Sequence, residues 1–136
     1  MPDRFMVIDD DAINNMICKL LIQRCFNEVN IKLFTEPEDA LTAINFEYTK
    51  KGKMLSTVLF LDINMPVMTG WEFLEVFKNF NSSIQQQFTI FVLSSSIDYK
   101  DEEKAKSNPL VAGFICKPLT AEKIMEMVSN AQKILA

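Results

Sequence analysis

The sequence predicts an α/β domain built on a doubly wound parallel sheet, and three observations carry that prediction. Five short runs rich in Val, Ile, Phe and Leu recur along the chain. They read as continuous instead of alternating, the pattern expected of strands buried on both faces. The segments that follow the runs space their apolar residues with a helical period, and parallel neighbours need such crossovers, which are right-handed and cover both faces of the sheet.

The first run is Phe5 to Ile8, and the segment behind it carries Ile13, Ile17, Leu20 and Leu21 at helical spacing. Val29 to Phe34 is the second run, followed by Ala40, Leu41 and Ile44. The third, Thr57 to Leu61, precedes a helix marked by Trp71, Phe73, Leu74 and Phe77. Phe88 to Leu93 is the fourth; the segment after it, Asp98 to Ser107, is strongly charged and weakly apolar, which predicts the most exposed helix. After the fifth run, Gly113 to Cys116, Thr120 is placed to cap a last helix with Ile124, Met127, Val128 and Ile134 on one side. At 136 residues, without repeat, low-complexity tract or Pro/Gly-rich linker, the expectation is one domain spanning 1–136 with no output domain.

Composition removes whole classes of chemistry. The chain has no histidine, so Ser/His and Cys/His nucleophile pairs, imidazole bases and imidazole metal ligands are all excluded. Cys18, Cys25 and Cys116 lack CxxC spacing and read as reduced apolar fillers. A net charge of −4 disfavours nucleic acid as a direct partner; the nearest basic run, Lys50-Lys51-Gly52-Lys53, reads as a solvated loop. No stretch reaches the ~18 apolar residues that span a bilayer, and the N-terminus lacks a signal-peptide pattern, so the expectation is a cytoplasmic protein without membrane insertion.

In doubly wound sheets ligands bind outside the carboxyl ends of the strands. There the chain places Asp9, Asp10 and Asp11 after the first run, Asp62 after the third, Ser94-Ser95-Ser96 after the fourth and Lys117-Pro118 after the fifth. One aspartate suffices to cap a helix. Carboxylates within ~5 Å of one another cost about 3 kcal/mol per pair at an effective dielectric of ~20, so a cluster calls for a counter-cation. All-oxygen donors suit Mg2+ better than zinc. Asp62 reads either as a nucleophile toward phosphorus or as a further metal ligand. Ser94 reads as a donor to a phosphoryl oxygen or as turn chemistry, and Lys117 as a point charge for phosphate or a surface lysine.

In this order and spacing, the acidic pair, LDINMPVMTG, the serine and KP resemble the receiver domains of two-component response regulators, the CheY-like branch of the flavodoxin-like folds. The resemblance covers Phe5 to the last helix and implies a three-layer α/β/α fold with strand order 2-1-3-4-5. It implies that Asp62 is the phosphoacceptor, that Asp10 binds Mg2+ directly and Asp9 through water, and that Asn64 gives its backbone carbonyl. Ser94 would hydrogen-bond the phosphoryl group and Lys117 pair with it. Phe114 falls at the family's switch aromatic, so with Ser94 it would form the switch, by ring packing without a phenolic hydrogen bond. Asp11 carries no implied metal role and reads as a cap; Asn64 and Ser96 would border the water path and tune hydrolysis.

The function implied is a stand-alone receiver, phosphorylated by a sensor histidine kinase or histidine phosphotransfer protein, assisting only its own phosphorylation and dephosphorylation. It would signal through a downstream protein, contacts of the fourth helix, fifth strand and fifth helix serving partners or a homodimer. Three alternatives stand beside it. A phosphatase-like hydrolase would want a second carboxylate shortly after the nucleophile, where Asn64 stands; a flavodoxin-like cofactor module would want a glycine-rich loop, and the chain has three glycines. A degenerate receiver that only binds partners would not need the complete acid set. The segment from Glu36 to Ser56 is longer than the minimal family pattern.

Overall fold

Five parallel strands form one sheet in the order β2-β1-β3-β4-β5. The computed structural model describes residues 2–50 and 54–135, with the side chains of the last helix as far as Ala131. The chain runs β1 Arg4–Ile8, α1 Ala12–Cys25, β2 Asn30–Phe34, α2 Pro37–Glu47, β3 Thr57–Asp62, α3 Gly70–Phe77, α4 Ser82–Gln85, β4 Phe88–Ser94, α5 Tyr99–Ser107, β5 Val111–Cys116 and α6 Ala121–Leu135. Every residue of β1 and β3 is buried, which is why their sequences do not alternate.

The sheet divides the core in two. On one face Met6, Ile8, Leu59 and Leu61 pack with Ala40, Leu41 and Ile44 of α2 and Phe73, Leu74 and Phe77 of α3. On the other Phe5, Val7, Phe60 and Phe91 meet Cys18 and Ile22 of α1 and Ile124 and Val128 of α6. The Phe60 ring stacks between Phe5 and Phe91, with centroids 6.3 and 5.7 Å away.

Capping explains the helix boundaries. Asp11 Oδ1 accepts from the Ile13 and Asn14 N–H groups, the capping role expected of it. Thr69 and Glu72 form a reciprocal capping box at the start of α3. Thr120 Oγ1 accepts from the Lys123 N–H at 3.2 Å.

Three sequence expectations need correction. β2 is not buried on both faces: at the edge of the sheet it leaves Asn30 and Lys32 exposed, with Ile31, Leu33 and Phe34 half-buried. A sixth helix, α4, is too short to carry a periodicity; Asn81 caps it and Ile84 is its buried residue. In α1 three of the four residues that carry the helical period do not face the core: Ile13 is 72% exposed, Ile17 49% and Leu20 58%, whereas Leu21 packs against it. The buried face of α1 is Asn15, Cys18 and Ile22. The expected exposure of Asp98 to Ser107 holds, since Ala105 is the buried residue of α5. Lys51 to Lys53 of the basic loop, and the side chain of Ile134, lie outside the described residues.

Candidate functional site

The parallel register brings the carboxyl ends of β1, β3, β4 and β5 to one edge. Ile8 lies opposite Leu61 and Asp62 opposite Leu93, so Asp9, Asp62 and Ser94 emerge side by side. A hydrogen bond from the Lys117 N–H to the Ser94 carbonyl, 2.8 Å, sets Lys117 beside them. Asp9, Asp62 and Ser94 are 1%, 3% and 0% exposed, whereas Asp10 is open to solvent.

Carboxylate oxygens of Asp9, Asp10 and Asp62 lie within 4.8 Å of one another. At an effective dielectric of ~20 each such pair opposes the other by about 3 kcal/mol. Lys117 Nζ answers part of this, 2.9 Å from Asp9 Oδ2 and 3.5 Å from Asp62 Oδ2. Three carboxylates against one ammonium leave a formal excess of two negative charges. Backbone groups fix the rest of the geometry: the Asp11 N–H donates to Asp9 Oδ1 and the Asn64 N–H to Asp62 Oδ1, each at 2.9 Å.

Burial pushes the Asp62 carboxyl above its ordinary pKa; the Asn64 N–H opposes that, Asp9 adds to it and Lys117 counters. Burial alone would lower Lys117, but the hydrogen bond to Asp9 and the charges of Asp62 and Asp9 outweigh it, and the ammonium is held above its usual value. Cys18, buried behind the cluster, is pushed up to about 11 by burial first and then by Asp9, so its thiol is protonated at neutral pH.

The Ser94 hydroxyl does not point its hydrogen bond at Asp62. It donates to the Ser96 carbonyl at 2.8 Å and lies 3.4 Å from Asn64 Oδ1. Asn64 Oδ1 also accepts from the Ser95 N–H at 3.3 Å, so the loops after β3 and β4 are tied together beside the site. Phe114 is half-buried and packs against the α2 and α3 side of the core. The Lys117-Pro118 peptide bond is cis.

Two positioning residues escaped the sequence reading. Asn15 sends its Nδ2 to the carbonyls of Asp9 and Phe34, at 3.0 and 3.1 Å, stapling the loop after β1 to the end of β2. Its signal was a polar residue amid the apolar spacing of α1. Gly70 packs so closely on the loop after Asp62 that a Cβ there would sit 2.8 Å from the Asp62 carbonyl oxygen and the Ile63 Cα. The glycine stood in plain view at the end of LDINMPVMTG, but contact across a loop has no sequence period.

Residues 5–129 match the family model described as the response regulator receiver domain. The chain belongs to that family. The receiver resembles a two component response regulator from Cytophaga hutchinsonii at 30% identity and TM-score 0.86, over 97% of this chain and 98% of that one. A response regulator receiver protein from Dyadobacter fermentans shares the fold at 23% identity and TM-score 0.80, covering 93% and 95% of the two chains. CheY4 of Vibrio cholerae does so at 18% identity and TM-score 0.73, covering 96% and 98%. A hybrid signal transduction histidine kinase I of Dictyostelium discoideum is 21% identical over 131 residues, 96% of this chain and 7% of that protein's length. Receiver domains are phosphoacceptor signalling domains of two-component phosphorelays, and they bind Mg2+ at an acidic pocket. The donor set of this receiver fits a hard divalent cation: three carboxylates, no nitrogen or sulfur ligand, and a charge excess of the right size. Among the described residues no helix is long and apolar enough to cross a membrane.

Proposed function

We propose that this receiver accepts a phosphoryl group on Asp62 from a phosphohistidine of a sensor kinase or phosphotransfer protein, in a Mg2+-dependent step, and signals through protein contacts. The observation that supports this best is the meeting of Asp9, Asp10, Asp62 and Lys117 at one sheet edge. The chain has no histidine, so the donor imidazole lies outside these 136 residues. An Asp62 oxygen attacks phosphorus; the phosphorus–nitrogen bond breaks, and the leaving imidazole keeps the electron pair and takes up a proton. Lys117 offsets charge on the transferring oxygens, and backbone N–H contacts hold Asp62 in place at no reorganisation cost. Asp9, Asp10, Asp62 and the Asn64 backbone carbonyl would hold a Mg2+ ion, which supplies further neutralisation of the phosphoryl oxygens. Water attack on phosphorus later breaks the acyl phosphate, returning the carboxylate and free phosphate, with the Asn64 and Ser96 side chains bordering the water's path.

The donor docks on α1. Ile13, Met16, Ile17 and Leu20 form an exposed apolar stripe at helical spacing that starts beside the acidic cluster. Next to it a cleft of about 360 Å³ lined by Ile17, Leu119, Asp9 and Lys117 leads to the site. Once Asp62 is phosphorylated, Ser94 exchanges its bond to the Ser96 carbonyl for one to the phosphoryl group, and Phe114 follows it inward, shifting the face of α5, β5 and α6 toward its partner-binding form. That face serves a downstream protein or a second receiver.

Intact-mass measurement after incubation with acetyl phosphate and Mg2+ tests the chemistry. A single phosphoryl adduct on the native chain, lost in Asp62→Asn and in EDTA, is expected. Absence of an adduct on native protein, with the small donor and with a phosphorylated kinase alike, overturns the reading.

A further inference from the structure

A second recess includes Asp10 in its lining but not Lys117. The loops after β2 and β3 enclose a cavity of about 230 Å³ lined by Pro37, Met65, Pro66, Val67 and Met68, with Asp10, Glu36 and Glu38 at its rim. Its floor is apolar: Met65 is buried and Met68 half-buried. Every charged residue of the lining is acidic. Acids in the first turn of a helix are ordinary, and Glu38 serves α2 in that way. Glu36 does not: it stands at the cap position yet makes no side-chain cap bond. Among the described residues neither Glu36 nor Glu38 is in an ion pair. Val67 stands at the lip 86% exposed, an aliphatic side chain held in water by a loop that begins at the phosphoacceptor.

We propose that this recess is a docking pocket for a protein segment that presents an aliphatic side chain flanked by lysine or arginine. The size selects a side chain over a metabolite, because pockets for small molecules run from about 300 Å³ upward. Methionine walls adapt to an aliphatic guest. The unpaired carboxylates of Glu36 and Glu38, with Asp10 beside them, select cationic flanks and reject acidic ones, which sets both encounter rate and specificity. The pocket shares Asp10 with the acidic cluster, but its occupancy does not require phosphorylation of Asp62.

The test uses the full chain in EDTA and an array of synthetic peptides, each with a central leucine or methionine flanked by lysine, arginine, serine or glutamate. Lysine- and arginine-flanked peptides are expected to bind and to shift the methyl NMR signals of Met65, Val67 and Met68, with affinity falling steeply as salt is raised. The double variant Glu36→Lys, Glu38→Lys should weaken binding about tenfold or more, and Val67→Ser should weaken it without altering the salt dependence. These three side chains are exposed, so the variants fold, and an unchanged amide spectrum away from the pocket checks it. No binding by any peptide, equal binding of serine-flanked peptides, unmoved Met65 and Met68 signals, or full affinity in the charge-reversed variant overturns the proposal. Because magnesium is excluded, phosphorylation of Asp62 can fail or succeed without changing this outcome.

Discussion

Lys117 donates a hydrogen bond to Asp9 Oδ2 at 2.9 Å, joining residues 108 positions apart through a carboxylate that is almost fully buried. The neighbouring Asp62 oxygen is farther, at 3.5 Å, so the lysine serves Asp9 first and the phosphoacceptor second.

Removing the lysine leaves two buried carboxylates without their cation. Lys117→Met should destabilise the metal-free protein by about 2 kcal/mol, below the ~3–5 kcal/mol of a fully buried broken pair because the lysine side chain is 21% exposed. Urea denaturation in EDTA measures this. Mg2+ should return more stability to the variant than to the native chain, since the ion then meets one more uncompensated negative charge. Equal stability of the two chains in EDTA would show that Lys117 carries no electrostatic weight here.

Asp62 gives a pH dependence of defined sign. Its carboxyl holds a proton more tightly in the folded chain than in the unfolded one, through burial first and Asp9 after it. The folded state therefore binds more protons between the ordinary carboxylate value, ~4, and the raised one, and this contribution to stability falls as pH rises through that window. Below it Asp62 is protonated in both states and that contribution is fully present, because no charge is buried. Asp62→Asn is thus expected to be more stable than native protein at pH 7 without metal, with the difference shrinking as pH is lowered through that window and vanishing near ~4. Denaturant midpoints at several pH values in EDTA provide the check; a variant less stable than native at pH 7 contradicts it.

The exposed stripe on α1 separates docking from chemistry. The triple variant Ile13→Ser, Ile17→Ser, Leu20→Ser removes apolar surface that supports no core contact, so stability should change by less than about 1 kcal/mol. Phosphotransfer from a histidine protein is expected to slow at least about tenfold, while labelling by acetyl phosphate keeps its native rate. Equal losses with both donors would place the damage at the site instead.

This stripe also marks how far the sequence could be read. Its spacing announced a helix correctly, because periodicity reports which residues share a face. It does not report whether that face meets a core or a solvent-exposed surface, and in α1 the inward positions went to Asn15, Cys18 and Ile22. The strands were legible for the opposite reason: β1 and β3 are buried on both faces, so continuous apolarity leaves one interpretation. The juxtaposition of Asp9, Asp10, Asp62 and Lys117 followed from the strand-end rule for doubly wound sheets. What stayed hidden were contacts between segments without a pattern of their own: the Asn15 staple, the close approach of Gly70 and the turn of the Ser94 hydroxyl to the Ser96 carbonyl.

Gly70 is a strict steric test of the loop after Asp62. Its neighbours at 2.8 Å include the Asp62 carbonyl oxygen and the Ile63 Cα, backbone atoms that cannot rotate aside as a side chain can. Gly70→Ala should cost about 2–3 kcal/mol, despite alanine's better helix propensity at the start of α3. The displaced loop carries the Asn64 N–H away from Asp62 Oδ1, so acetyl phosphate labelling should slow as well. A variant as stable and as readily labelled as native protein would mean that the loop absorbs a methyl group freely.

Trp71, the sole tryptophan, reports on the helix that borders the proposed output face. Its Nε1 donates to Asp101 Oδ1 at 3.0 Å, tying α3 to α5, and the Lys104 ammonium lies 5.7 Å from its ring centroid. The buried residue of α5 is the small Ala105. A hydrogen bond to a charged acceptor contributes about 1.5–3 kcal/mol when buried and less at this half-exposed site, so Asp101→Ala should cost about 1 kcal/mol. The loss should be local: faster amide exchange in α5 and in the loop before it, with the exchange of β1 and β3 reduced only by the small global change. Freed from its acceptor, the indole should also change its emission wavelength. If phosphorylation of Asp62 moves α5, native Trp71 emission shifts on adding acetyl phosphate and Mg2+, and Asp101→Ala starts nearer to that shifted value. Uniform acceleration of exchange across the sheet, with unchanged indole emission, would instead make the Trp71 to Asp101 bond a general support and not a tether for α5.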